Sequence, residues 1–284
     1  IPFAADLERT EGMLVTFPQD LTILETFDFA RYGELALGAG LQYQPTDVHE
    51  PGSAEAIALS DANWANRITL DDAVTAQNAD PARHPNGQPY TLENRFRAGD
   101  AVADVTGILD YGFSAWRIQP TAPATVTTLN ERPEVPEVGG DLQVAAFNVL
   151  NFFTTLEGPD SRGAENVEEL QRQTDKLVAA ILAMDADIVG LMEIENNGTA
   201  LTTLVDAVNA AAGSEVYTAI ETGPIGTDVI ATALIFKADV VSPEGAWLAL
   251  GHGDQTDPDY DPSLHRPALT QSFAVTGTDE VLTI

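Results

Sequence analysis

The sequence predicts a multi-domain α/β protein of the α+β kind. It reads as a small all-β domain over residues 1–120, a Pro/Thr-rich linker over 121–140, and a domain of alternating strands and helices over 141–284. Three observations carry this division. Residues 1–120 hold short apolar runs broken by turn residues, the pattern of a small barrel or sandwich. Residues 121–140 collect Pro123, Pro133, Pro136, several threonines and the Gly139-Gly140 pair, which together favour extended chain over packed structure. Beyond residue 141, buried apolar runs alternate with helical periodicity. The length of 284 residues allows about two domains, each able to bury a core.

In the first domain, residues 12–17 and 21–25 read as strands around a Pro18-Gln19-Asp20 turn. Residues 31–37 alternate polar and apolar, and Arg67-Ile68-Thr69-Leu70 runs apolar into Asp71-Asp72. Residues 101–110 and 114–119 read as strands flanking a Tyr111-Gly112-Phe113 turn. The Pro-, Asn- and Gly-rich stretch 78–88 reads as a loop. In the last domain, residues 142–149 form a mostly apolar strand. Residues 166–183 form a helix with Val167, Leu170, Leu177, Val178, Ile181 and Leu182 on one stripe, opened by an Asn166/Glu169 capping box. Residues 187–194 form a buried strand. A helix over about 199–212 stops at Gly213, and strands follow at 216–221, 229–236 and 280–284.

Charge narrows the function classes. Asp and Glu number 44 against 13 Lys and Arg, a formal net charge of -31, and only Lys176 and Lys237 are lysines. Nucleic-acid binders ordinarily carry a basic patch, so the charge at first argues against a polyanion partner. Near-elimination of Lys with carboxylates along the whole chain instead suits a protein that works in high salt, where repulsion is screened. An ordinary acidic protein is the plainer alternative. There is no cysteine, hence no disulfide and no Cys-ligated zinc. No apolar run approaches a membrane span, so no membrane partner is expected. Residues 1–6 lack the basic and apolar regions of a signal peptide, and the chain starts without Met, which suggests a mature or trimmed form.

Two polar residues stand at the ends of apolar strands. Asn148 follows Val144-Ala145-Ala146-Phe147, and Glu193 follows Ile188-Val189-Gly190-Leu191-Met192. If these strands are neighbours, both residues meet at the sheet edge where α/β folds bind ligands. A carboxylate and an amide oxygen there are hard ligands suited to Mg²⁺ or Ca²⁺. From position alone, a surface carboxylate and a turn cap explain them better, because strand ends are usually polar.

The wider strings resemble the endonuclease/exonuclease/phosphatase superfamily, the deoxyribonuclease I-like group. More narrowly they are similar to bacterial ExeM/NucH-type extracellular nucleases. The resemblance lies in FNVLNFF (147–153), RGAENVEELQRQTDKLVAAI, DADIVGLMEIEN, GTDVIATALIFK (226–237) and RPALTQSF (266–273). The N-terminal strings EGMLVTFPQDLTI, RYGELAL, LQYQPTDV and VTGILDYGFSAWRIQPT resemble the OB-like domain that precedes such nucleases. The resemblance implies an OB-like β domain followed by part of a four-layer α/β sandwich of the endonuclease/exonuclease/phosphatase type. It also implies a secreted, extracellular, monomeric hydrolase of DNA, with RNA as a further substrate. The cofactor would be Mg²⁺, or Mn²⁺ or Ca²⁺, with cleavage leaving 5′-phosphate and 3′-hydroxyl ends.

Carried over residue by residue, Glu193 is the metal-binding carboxylate and Asn148 the metal- and phosphate-site amide. Arg266 lies near the substrate phosphates. Asp228 and Asn151 are further candidate substrate contacts, and Glu195 and Asn196 belong to the branch signature. The family continues into Asn-His-Phe-Lys-like, Gly-Asp-Phe-Asn and Asp-His strings that do not occur here. Residues 141–284 are therefore expected to supply the N-terminal half of a catalytic domain.

Several features invite other roles. His49, His84 and His252 lie in loops and read as solvated, and His265 beside Arg266 is a weak candidate base. The oxygen-rich loop 251–261 could hold Ca²⁺, but lacks the EF-hand pattern and reads better as a hydrated acidic loop. Tyr32, Tyr43, Tyr111, Phe113 and Trp116 could stack on single strands, although Phe113 and Trp116 read rather as core. Two alternative functions stand beside a nuclease: a secreted phosphatase or phospholipid phosphodiesterase of the same fold, and a non-enzymatic nucleic-acid-binding protein.

Overall fold

A computed structural model describes residues 7–253, 257, 259–261 and 263–284. The chain divides into two compact units, residues 1–133 and 134–284. Both combine helices with sheets, so the mixed α/β class read from the sequence is the class observed.

The first unit carries strands β1 (Leu14–Thr16), β2 (Leu21–Glu25), β3 (Leu35–Gly38), β4 (Ile68–Leu70), β5 (Ala101–Ala103), β6 (Thr106–Gly112), β7 (Ala115–Pro120) and β8 (Thr125–Thr127). They form one sheet in the order β1-β6-β7-β4-β3-β2-β5-β8. Among the described strands of this sheet, β4 and β7 pair in parallel and the other neighbours antiparallel. The alternation that marked the strands buries Leu21 and Ile23, Leu35 and Leu37, and Ile68 and Leu70 in a core with Leu109 and Ile118.

Five departures from the sequence reading have physical causes. The unit is not made of strands alone: helical turns α1 (Phe29–Tyr32) and α2 (Pro45–Val48) and helix α3 (Ala54–Ala65) interrupt the strands. Ser53 caps α3, its Oγ accepting from the Ala56 amide at 3.1 Å. The helix buries only Ala56, so it has no apolar stripe to read. The expected strand 31–37 begins only at Leu35, because α1 ends in Gly33 at φ +74. A Cβ on Gly33 would lie 2.3 Å from the Asp72 carboxyl, so the close approach requires glycine.

The run 101–110 splits at Asp104 (φ +61), and its halves pair with different strands. The following hairpin turns at Phe113-Ser114, both left-handed, one residue later than Tyr111-Gly112-Phe113 suggested. Finally, the linker starts later than residue 121. β8 pairs with β5, and Asp100 accepts from the Leu129 and Asn130 amides, each at 2.9 Å. The prolines of 121–136 masked a strand between Pro123 and Pro133.

Two side chains change class. His84, read as solvated, is 2 % exposed and packs against Tyr90 and Phe96. Its Nδ1 accepts from the Asn86 amide, and burial lowers its pKa. Phe113, read as core, is 92 % exposed because it sits at the tip of the hairpin. Trp116 is half-buried and packs against the core.

The second unit opens with β9 (Val144–Phe152), helix α4 (Val167–Met184), β10 (Ile188–Glu195) and helix α5 (Ala200–Ala212). β11 (Thr218–Ala219) and β12 (Ile230–Phe236) complete a sheet ordered β11-β12-β10-β9. β13 (Val241–Leu250), β14 (Ala268–Val275) and β15 (Val281–Thr283) form a second sheet. β13 escaped the sequence reading because it carries Pro243 and, where its pairing with β14 slips after Glu244, Gly245. β9 and β10 pair in parallel through the α4 crossover. Alternation along β10 separates the two faces. Val189 and Leu191 meet Ile181, Leu204 and Val208 of the helices. Ile188 meets Leu234, Val241 and Phe273 toward the second sheet. Helices, first sheet and second sheet are thus three stacked layers.

Candidate functional site

The parallel pairing of β9 and β10 sets Asn148 directly opposite Met192, one residue before Glu193. The register then slips: Met192 pairs with Asn148, but Ile194 pairs with Phe152. Both strands bulge at this point, as strands do where a side chain must be re-aimed. Glu193 sits at φ +67, Leu150 at +55 and Asn151 at +50. Left-handed backbone in non-glycine residues costs about 1–2 kcal/mol apiece and persists only where the surroundings impose it.

The restraints are visible. The Asn151 amide donates to Glu193 Oε2 at 3.0 Å, and the Leu150 amide donates to Asn148 Oδ1 at 2.8 Å. From α4, Gln173 Nε2 donates to the carbonyls of Val149 (3.1 Å) and Leu150 (2.8 Å). Asn148, Asn151 and Glu193 are therefore brought together at the carboxyl end of two parallel strands.

A second layer of bonds fixes the loops beside them. Glu195 is buried, and its Oε2 accepts from the Thr154 amide (2.7 Å), the Thr154 hydroxyl (3.0 Å) and the Thr155 amide (3.1 Å). Burial pushes the Glu195 carboxyl up, but these donors outweigh it and hold the group below the usual Glu range. Asn196 ties down the loop before β12. Its Nδ2 donates to the Ile225 and Asp228 carbonyls, and its Oδ1 accepts from the Ile225 amide. Asn197 bonds the Thr154 hydroxyl and caps α5 through the Thr199 and Ala200 amides.

Arg266 and Asp228 form a separate pair. Arg266 Nε donates to Asp228 Oδ2 at 2.9 Å, and Arg162 approaches Asp228 Oδ1 at 3.8 Å. Some burial raises the Asp228 carboxyl, but the Arg266 bond and charge dominate and hold it below the usual Asp range. The Tyr260 hydroxyl donates to the Arg266 carbonyl. Among the described residues, no hydrogen bond or ion pair joins this pair to the Glu193 group. His265 is exposed, and His252 Nδ1 accepts from the Gly226 amide. Residues 254–256 and 258 of the acidic loop read as a possible Ca²⁺ site lie outside the described residues.

Glu193 Oε1 accepts no hydrogen bond among the described residues, and Asn148 Oδ1 keeps a second lone pair. Among the described residues no three His, Cys, Asp or Glu side chains are grouped to hold a metal. The protein thus offers one carboxylate and one amide oxygen. That set fits a Mg²⁺-like ion, which keeps several waters and shares its shell with substrate phosphate.

Residues 4–131 match a family described as a domain of unknown function (DUF8508). No curated protein matches the chain. Similar solved structures include humanized TDP2 of D. rerio carrying 14 mutations, at 14 % identity, covering 50 % of this chain and 48 % of that one, with a TM-score of 0.31. A functionally unknown conserved protein from Enterococcus faecalis V583 matches at 12 % identity over 50 % of each chain, TM-score 0.33. An endonuclease/exonuclease/phosphatase family protein from Bacteroides thetaiotaomicron matches at 17 % identity, over 50 % of this chain and 48 % of that one, TM-score 0.34. The chain spans about half the length of each of these structures.

Sequence reasoning missed Gln173, Thr154 and Asn197. Each acts by holding backbone or a loop, and a lone amide on a polar helix face or in a turn carries no periodic signal. The one available clue was Gln173 inside the QRQ string of the resemblance.

Proposed function

We propose that the protein is a secreted, salt-adapted nuclease that hydrolyses phosphodiester bonds of DNA, and of RNA as a second substrate, with a divalent metal. The observation that carries this reading is the bulged, left-handed edge of β9 and β10, where Glu193, Asn148 and Asn151 converge. Backbone strain restrained at a strand end is where ligand sites concentrate. The resemblance of strings 147–153, 185–196, 226–237 and 266–273 to extracellular nucleases supplies the reaction class.

Glu193 and Asn148 would hold Mg²⁺, or Mn²⁺ or Ca²⁺. When bound, such an ion stabilises charge developing on a phosphoryl oxygen. Asn151 would orient the free oxygen of Glu193 through its backbone bond. Arg266 would neutralise a phosphate. Its Nε is spent on Asp228, and among the described residues neither terminal NH₂ group is bonded, so both would serve a bidentate phosphate contact. Asp228 is then the residue that aims Arg266 rather than a substrate contact. The first unit, read as OB-like, would be an accessory domain. Residues 141–284 would supply one half of the catalytic domain.

The competing reading is a phosphatase or phospholipid phosphodiesterase built on the same fold. The full-length protein should nick supercoiled plasmid in Mg²⁺ and leave p-nitrophenyl phosphate intact. Phosphomonoester turnover without plasmid nicking would replace the nuclease reading.

A further inference from the structure

The first unit has an exposed aromatic face that the nuclease reading does not use. Two clefts lie on it, of about 890 Å³ and 380 Å³. Both volumes fall within the roughly 300–1,000 Å³ of ligand sites. Trp64, Arg67 and Glu25 line both, so this trio stands between them. On the larger side lie Tyr43 and Leu41, on the smaller Phe113 and Trp116. Tyr43 is 67 % exposed and Trp64 69 %, beside the fully presented ring of Phe113. Large rings left in water in one region are a recognition surface rather than core.

The charge of this surface selects its ligand. Arg67 is ion-paired with Glu25 and lies over the Trp64 ring at 5.0 Å. Arg117, over Phe113 at 5.0 Å, is bonded to Glu34, Asp71 and Asp110. Both cations are thus committed to carboxylates, and Asp28 and Glu34 add negative charge to the smaller cleft. Among the described residues lining the clefts, Arg67 is the one cation and it is already paired, so little is offered to a phosphate backbone, the main source of nucleic-acid affinity. The other polar groups are uncharged: Gln44, Ser60 and Asn63 in one cleft, Thr69 and Ser114 in the other. Exposed ring faces beside amides and hydroxyls match a ligand with C–H faces and many hydroxyls.

We propose that this face binds a neutral polysaccharide, with Trp64 as the central stacking platform and sugar residues in the clefts on either side. The test is titration of the full-length protein with cellohexaose, chitohexaose and maltohexaose, and with hexathymidylate, in low salt and in molar NaCl. Tryptophan fluorescence and calorimetry both read binding. At least one hexasaccharide should bind, and Trp64→Ala should weaken it about tenfold. Trp64 is exposed, so circular dichroism of the variant should match the parent. Trp247→Phe, in the other unit, should leave the affinity unchanged. Failure of all three sugars to bind at millimolar concentration would overturn the proposal. So would binding indifferent to Trp64→Ala, or binding of hexathymidylate in preference to the sugars.

Discussion

Glu193 accepts a hydrogen bond from the Asn151 amide while its own backbone is left-handed. The sequence suggested its position, at the end of an apolar strand, while the metal-binding role proposed for it rests on its residue type and on the resemblance. Its φ angle and the Gln173 clamp were not legible, because both depend on how β9 and β10 slip in register. His84 and Phe113 were misread for a related reason. Loop and hairpin residues take their exposure from tertiary packing, which neighbours in sequence do not encode.

Asp100 gives the clearest residue-scale prediction. It is 1 % exposed and accepts from the Arg97, Leu129 and Asn130 amides. Burial pushes its carboxyl up, but the three amides prevail and hold it below the usual Asp range. Its stabilisation is therefore fully present above the unfolded Asp pKa and lost as pH falls through the folded value. Asp100→Asn turns an amide NH₂ toward a buried N–H and should cost about 1–3 kcal/mol near neutral pH. Urea denaturation should show that gap closing below about pH 4. A gap that is constant with pH would mean the carboxylate charge contributes nothing.

At the scale of elements, α4 was legible because two signals agree. Its apolar stripe buries Leu177 and Ile181, and Asn166 Oδ1 caps the Glu169 amide at 2.9 Å. The capping box differs in one detail. Glu169 reaches back to the Glu165 amide rather than to that of Asn166. The parallel β9/β10 pair was legible as two apolar runs flanking a helix. α3 and β8 were not: one lacks a stripe and the other lies among prolines. The functional role proposed for α4 rests on Gln173, which donates from the helix to the strand-end carbonyls of Val149 and Leu150. Gln173→Ala should lower DNA cleavage by the full-length protein about tenfold or more through misplacement of Leu150 and Asn151. Helix content should not change. Cleavage at the parental rate would show that the strand edge holds itself.

For the whole molecule, a net charge of -31 and the proposed nucleic-acid substrate would be reconciled by the solvent. At 1 M salt the Debye length falls to about 3 Å, and long-range repulsion between protein and DNA is largely removed. On the proposed function, contact would then come from short-range bonds at Glu193, Asn148 and Arg266. DNA cleavage should therefore rise with NaCl toward molar concentrations, against the fall that counterion release gives in basic nucleases. Steady inhibition by NaCl would require another cause for the acidity.

The most direct measurement is plasmid cleavage in Mg²⁺ by the full-length protein and its Glu193→Gln variant, each with and without chelator. Glu193→Gln keeps an oxygen for the Asn151 amide but removes the charge that would hold the ion. Cleavage by the parent that chelator abolishes, together with loss of cleavage in a folded Glu193→Gln variant, is the predicted result. Near-parental cleavage by Glu193→Gln would contradict a nuclease centred on the β9/β10 edge.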